Sequence, residues 1–225
     1  MNELSEAPVE RVLNQEEVKS LFNVNSAHKD IAERLIDIVT SSGAILKGHF
    51  SLESGRHSNS FFRFADVASR ADDVNVITKA LISDIERDHL SFDVVMTQPS
   101  GGRVLGEVIA KQLNKRIIFT YADDHNRPLD DLVNPEYLFK GDRVLIVSDV
   151  FTSGSGLSTM LNSVRTRGAV PVAIALFVER DSNEFSQFLT NEKIKVYSLG
   201  TVNFESTSPS CKLDERYAAI PSWQV

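Results

Sequence analysis

The chain has 225 residues and a formal net charge of −7; 42% of the residues are hydrophobic, 24% charged and 8% aromatic. That length allows one domain with a well-buried core. The acidic balance argues against nucleic acid as a partner, because the chain has no overall attraction for a phosphate backbone. A single cysteine, Cys211, excludes an internal disulfide framework and fits a reducing compartment.

No apolar run approaches the ~20 residues that a membrane span needs. The N-terminus, MNELSEAPVERVL, carries acids early and lacks the apolar core of a signal peptide. A cytoplasmic protein with no membrane partner is expected.

Residues 1–25 read as an N-terminal appendage, ahead of a single domain over 26–225. Asn14 followed by Glu17 is the pattern of a capping box and predicts a short helix through Phe22. Ser26 is the expected N-cap of a second helix. Ile31, Leu35, Ile38 and Val39 form its apolar face and Gly43 its stop. A hairpin is expected next, with Lys47-Gly48 as the turn between residues 44–46 and 50–52. SFFRFADV, residues 60–67, reads as a strand, and Asp72 opens a helix to Arg87 with Val76, Ile77, Ala80, Leu81 and Ile85 inward.

From there strands and helices alternate. Strands are predicted at 92–96, 116–120, 144–147, 170–177 and 194–199, and helices at 102–113, 155–167 and 183–190. Short β-branched runs separated by helical segments indicate an α/β fold of right-handed βαβ units with a mainly parallel sheet. In such sheets ligands bind beyond the carboxyl ends of the strands. Residues 121–140 are polar and without a clear period, which reads as a long functional or disordered loop.

Two strand ends carry residues suited to anions. In VLIVSDVFTSGSG, residues 144–156, a buried strand delivers Asp149 and then Thr152, Ser153, Gly154, Ser155 and Gly156 into a helix. Glycines let backbone N–H groups converge, hydroxyls add donors, and the helix N-terminus adds partial positive charge, all of which favour a phosphate monoester. Asp149 repels an anion and makes sense as an acceptor for sugar hydroxyls, or through a bound cation. No Gly-Lys-Ser/Thr follows, so this is not a Walker loop. At the second strand end, Gln98-Pro-Ser-Gly-Gly-Arg103, the backbone of Ser100, Gly101 and Gly102 with Arg103 nearby suits a second anion such as pyrophosphate. Each stretch also has a plainer reading: an N-capping loop in the first case, a tight turn with a surface arginine in the second.

VLIVSDVFTSGSG resembles the phosphoribosyl-diphosphate (PRPP) motif of type I phosphoribosyltransferases. GHFSLESGRHSNSFF, residues 48–62, is similar to the N-terminal segment of orotate phosphoribosyltransferases, where Ser-Gly-Arg precedes paired phenylalanines. The order of elements agrees from about residue 31 to about residue 200. The resemblance implies a Rossmann-like, mainly parallel sheet flanked by helices with a small N-terminal hood. It also implies transfer of ribose 5-phosphate from PRPP to a nitrogenous base, with release of pyrophosphate, Mg²⁺ on the phosphates and ribose hydroxyls, and a homodimer. Carried over, Asp149 holds the ribose, Thr152 to Gly156 the 5-phosphate, and Ser100, Gly101, Gly102 and Arg103 the pyrophosphate. Phe61, Phe62 and Arg56 fall near the base. Asp149, His125 and Arg127 are the candidates for catalysis.

Several family charges are missing. The first acid of the motif's pair is Ser148, Glu53 stands where a lysine precedes Ser-Gly-Arg, and Gly101 stands where the pyrophosphate loop has a lysine. The mobile-loop counterpart, YADDHNR at 121–127, is acidic first and has only His125 and Arg127 as cations. Each lost charge-assisted contact to a phosphate costs ~1.5–3 kcal/mol. A non-catalytic PRPP- or nucleotide-binding protein on the same fold is therefore the alternative. Phosphohydrolysis finds no metal cluster in its support: His28, His49, His57 and His89 show no metal-ligand spacing with one another. Asp123 and Asp124 read as an exposed acidic patch, and of Phe61 and Phe62 at least one belongs to a core, because neighbours on a strand face opposite ways.

Overall fold

The computed structural model describes residues 11–51, 57–98, 101–123, 127–151, 154–207 and 220–221. Glu53, Arg56, Ser100, Asp124, His125, Thr152, Ser153 and Cys211 lie outside them.

The described chain begins with β1 (Arg11–Val12), α1 (Gln15–Leu21) and β2 (Phe22–Val24). Asn14 and Glu17 form the expected capping box, each side chain accepting the other's backbone N–H. Leu13, Val18 and Phe22 are buried in the main core, so residues 11–24 are packed against the body of the fold. Ser26 does not cap the next helix. Ser26–Ile31 is a 3-10 turn, and α2 (Ala32–Ser42) starts after it. Two tethers hold that turn: the Asn25 amide donates to the Ser198 carbonyl at 2.6 Å, and His28 meets Asp84 at 2.9 Å. Gly43 ends α2 in the left-handed region, as expected of a glycine stop.

Lys47-Gly48 is not a turn. It lies inside one strand, β3 (Ile45–Ser51), which pairs antiparallel with β4 (His57–Phe62). The register shifts between Lys47 and Phe50, and the Phe50 ring folds back over Gly48, where a β-carbon would stand 3.1 Å from it. The absent side chain makes room for a buried aromatic ring within the strand. The strand expected over 60–67 stops at Phe62. Arg63 N–H turns to the Ala44 carbonyl and its guanidinium pairs with Asp66, three residues on, which is helical spacing. A short helix, α3 (Phe64–Ala68), follows.

The remaining elements alternate: α4 (Ala71–Arg87), β5 (Val94–Thr97), α5 (Gly102–Gln112), β6 (Arg116–Ala122), β7 (Pro128–Leu132), β8 (Arg143–Val147), β9 (Val150–Phe151), α6 (Ser155–Thr166), β10 (Val170–Arg180), α7 (Asn183–Glu192) and β11 (Lys195–Val202). The short pairs β12 (Ser206–Thr207) and β13 (Ile220–Pro221) close the list. The 121–140 interval is thus no free loop. It holds the end of β6, all of β7 and a 3-10 turn at Pro135–Tyr137. Pro128 and Leu132 are buried under α6, and Ser163 on that helix donates to the Asp130 carbonyl.

The main sheet runs β2-β11-β10-β8-β5-β6-β7, with β9 added beside β10. Its five central strands are parallel, and β2 and β7 are antiparallel at the two edges. Both faces are covered, which accounts for the near-continuous apolar strands. Leu35, Ile77, Leu81 and Leu105 pack from α2, α4 and α5 against one face. Leu157, Met160, Leu161 and Phe188 pack from α6 and α7 against the other. The second sheet, β1-β3-β4-β12 with β13 beside β3, forms a small hood.

Candidate active site

The carboxyl ends of β5 and β8 are neighbours, because Thr97 is in register with Val147. The residues that follow them, Gln98 and Ser148-Asp149, therefore meet. The Gln98 amide donates to Ser148 Oγ at 3.3 Å and to Asp149 Oδ1 at 3.4 Å, and the Ser148 hydroxyl donates to the same carboxylate oxygen at 3.3 Å. Gly101 and Gly102, where α5 begins, pack onto this junction. A β-carbon on Gly101 would stand 2.4 Å from Asp149 Oδ2, and one on Gly102 would stand 2.8 Å from Ser148 Cα.

Asp149 lies deep in the protein yet keeps partial exposure, at the floor of the cleft between the two strand ends. Burial pushes its carboxyl above the ordinary range. The backbone N–H groups of Val150 and of Asp149 itself, then Ser148 and Gln98, oppose that rise.

Helix α6 opens beside this floor. Gly154 precedes it at φ +79, a left-handed conformation that brings its α-carbon against Phe151 and Phe188; a β-carbon would sit 2.8 Å and 3.1 Å from their rings. The N-cap residues of α6 and α5, Gly154 and Gly101, have no side chain with which to cap the first turn. The orphan N–H groups of both helices are the donors that an anion would satisfy. Gly156 lies against Pro128, so the foot of the β6–β7 hairpin flanks the same helix terminus.

Of the residues singled out in the sequence, the fold brings together Asp149, Gly101, Gly102, Gly154, Ser155 and Gly156. Arg103 points elsewhere: it pairs with Glu107 at 2.7 Å and lies over the Phe119 ring. Arg127 is bound by Asp123, with contacts of 2.5 and 2.6 Å, so Asp123 belongs to an ion pair and not to a bare acidic patch. The two phenylalanines face opposite ways, as strand alternation requires. Phe62 is in the main core with its ring against Phe177, whereas Phe61 is half-buried beside Phe50. His49 and His57 touch across β3 and β4 at 2.8 Å; burial, then the neighbouring ring, lowers the His57 pKa.

Two buried or half-buried polar residues, Gln98 and Arg180, are not marked by any motif in the sequence. In the sequence Gln98 is only the first residue of the Gln98-Pro-Ser-Gly-Gly-Arg103 turn. Arg180 ends the long apolar run of β10, is 6% exposed, and donates to Ser58 Oγ in the hood and to the Phe204 carbonyl. An arginine closing a buried central strand, at the end of the sheet where ligands bind, was the signal for it.

A model of the phosphoribosyl transferase domain matches residues 70–194. An orotate phosphoribosyltransferase of Chlorobium phaeobacteroides strain BS1 is 30% identical over 180 residues, covering 79% of this chain and 89% of that protein. One from Desulforamulus reducens is 29% identical over 182 residues, covering 80% and 90%. In fold, the chain is similar to the crystal structure of orotate phosphoribosyltransferase from Aeropyrum pernix, with a TM-score of 0.60 at 21% identity over 75% of this chain and 93% of that one. The parallel sheet, the two glycine-led helix termini at adjacent strand ends and these matches agree: this chain belongs to the type I phosphoribosyltransferase family and is of the orotate phosphoribosyltransferase kind.

Proposed function

We propose that the chain transfers ribose 5-phosphate from PRPP to a pyrimidine-type base such as orotate, releasing pyrophosphate, in pyrimidine nucleotide synthesis. The observation that carries this reading is the meeting of the β5 and β8 ends, with Asp149 between them and two glycine-led helix termini beside it. The ribose hydroxyls donate to Asp149. The 5-phosphate takes the first turn of α6, with Gly154, Ser155 and Gly156 and with Thr152 and Ser153 ahead of them. The pyrophosphate takes the N–H groups of Gly101 and Gly102, with Ser100. The base lies toward the hood, near Phe61 and Arg56, with Arg180 beneath. The bond from C1 to pyrophosphate breaks as the bond to the base nitrogen forms, the leaving electron pair stays on pyrophosphate, and the proton of the base nitrogen passes to pyrophosphate or to solvent. Positioning and electrostatics supply most of the help such a step needs. Asp149, His125 and Arg127 remain the groups proposed nearest to it. A cytoplasmic homodimer is part of the same reading.

The residues do not fit a protein-held Mg²⁺. Among the described residues no three His, Cys, Asp or Glu side chains come together. Asp149 is flanked by donors on Oδ1 and by Gly101 on Oδ2.

The second reading, a PRPP- or nucleotide-binding protein without turnover, is favoured by Arg103 and Arg127 being engaged by Glu107 and Asp123. Pyrophosphate release from PRPP, assayed with orotate, uracil and purine bases, separates the two. Turnover with any base removes the second reading; saturable PRPP binding with no release for any base removes the first.

A further inference from the structure

Gln98 spans the cleft floor. Its amide nitrogen faces Asp149 and Ser148, while Oε1 lies on the side of Gly156, 3.7 Å from where a β-carbon there would stand. The residue thus connects the carboxylate beside β8 with the first turn of α6, the two groups to which the ribose and its 5-phosphate are assigned above.

A divalent cation such as Mg²⁺ needs hard oxygen ligands in near-octahedral array and is drawn by ionised carboxylates. Here Oδ1 of the one carboxylate is already engaged and Oδ2 is crowded on the side of Gly101. Two donors, the Gln98 amide and the Ser148 hydroxyl, are on Oδ1. The α-carbon of Gly101 crowds Oδ2 so closely that no side chain fits between them. An amide N–H is a donor and cannot ligate a cation. What it can do is orient the carboxylate and offset its charge, which leaves a weakly charged acceptor suited to sugar hydroxyls and less repellent to nearby phosphates.

We propose that Gln98, with Ser148, takes the place of a divalent cation beside Asp149, so that this site binds ribose 5-phosphate esters, PRPP included, without requiring one. The inference rests on the reading of the cleft as a ribose 5-phosphate site.

The test is calorimetric titration of the full chain with PRPP and with ribose 5-phosphate, each in Mg²⁺ and in EDTA, for the wild type, Gln98→Glu and Gln98→Leu. Circular dichroism establishes that the variants fold. For the wild type, the PRPP Kd in the two buffers is expected to agree within about threefold. Gln98→Glu sets a second acid beside Asp149, and its PRPP binding is expected to gain about tenfold or more on adding Mg²⁺. Gln98→Leu is expected to weaken both ligands in both buffers. Wild-type PRPP binding that collapses in EDTA, while ribose 5-phosphate still binds, overturns the proposal and leaves the site reading standing. A Gln98→Glu variant as indifferent to Mg²⁺ as the wild type overturns the role given to Gln98. Failure of both ligands to bind in either buffer overturns the site reading, and the proposal with it.

Discussion

Gly101 and Asp149 are packed so tightly that a β-carbon on the glycine would stand 2.4 Å from the carboxylate oxygen and 2.7 Å from the Phe64 ring. Neither neighbour yields easily. Asp149 is a short side chain fixed by Gln98 and Ser148, and Phe64 is buried. Gly101→Ala is therefore expected to displace Asp149 and to destabilise the protein by about 1–3 kcal/mol, the usual cost of overpacking. Urea unfolding gives the stability change, and calorimetry the accompanying loss of PRPP binding. Gly101→Lys, which adds a longer side chain at the same point, is expected to fare no better. Wild-type stability for the alanine variant would show that the loop moves away from Asp149 at no cost.

Asp149 itself is expected to trade stability for binding. Its carboxyl is raised above the ordinary 3.8 by burial. Between 3.8 and the raised folded value, the native state holds a proton that the unfolded state has released. Stability therefore falls as pH rises through that window and stays lower above it. Asp149→Asn keeps the shape and removes the charge. The variant is expected to melt a few degrees above the wild type at pH 7, where the carboxylate is ionised, and to match it at about pH 3. PRPP binding is expected to weaken. An unchanged or lower melting temperature at pH 7 would mean that donors at the site already compensate the ionised acid.

The fold class was legible from period and punctuation. The apolar runs at 144–147 and 173–178 are buried on both faces, and such runs look alike whatever surrounds them. The two anion-suited strand ends were legible because glycine before a helix carries a backbone meaning. What escaped depended on tertiary contact. Pro128–Leu132, PLDDL, has poor strand propensity and does not alternate, yet α6 and the β6 edge hold it extended. Lys47-Gly48 has turn chemistry, and the Phe50 ring packed over Gly48 accounts for its place inside β3, at a shift of register. Arg127 reads in the sequence as a possible cation of the loop, and only the fold shows Asp123 engaging it. Gln98 carries no motif, and its place beside Asp149 follows from the β5–β8 register alone.

Arg116 and Asp142 pin the hairpin and 3-10 turn that flank the site. The guanidinium is bidentate to the carboxylate at 2.7 and 2.9 Å, donates to the Tyr137 carbonyl and lies over Phe139. The hydrogen bonds from Arg116 hold the Asp142 carboxyl below its ordinary 3.8. For an acid with a depressed folded value, the contribution is present above 3.8 and is lost as pH falls through the folded value. Arg116→Ala is expected to cost about 1–2 kcal/mol at pH 7, discounted because the arginine is one-third exposed. The difference from wild type should shrink in acid, and urea titrations at pH 7 and about pH 2 read both. A cost that is the same at both pH values would assign the effect to the Phe139 contact instead of the ion pair.

Gly200 tests whether the N-terminal segment is a working part of the sheet. It pairs with Val24 across the β2–β11 edge, and a β-carbon there would meet the Phe22 ring at 2.5 Å and the Asn23 carbonyl oxygen at 2.7 Å. The ring has little room to shift, because it is buried against Phe177, and the carbonyl belongs to the backbone. Gly200→Ala is therefore expected to force β2 away from β11 and to cost about 1–3 kcal/mol. It should also raise hydrogen exchange in residues 13–25 selectively, since that segment is held through β2, while the β5–β8 amides stay protected. Uniform exchange across both regions would show that the segment and the central sheet unfold as one unit. An unchanged rate in residues 13–25 would mean that their attachment rests on Leu13 and Val18 in the core and not on the strand edge.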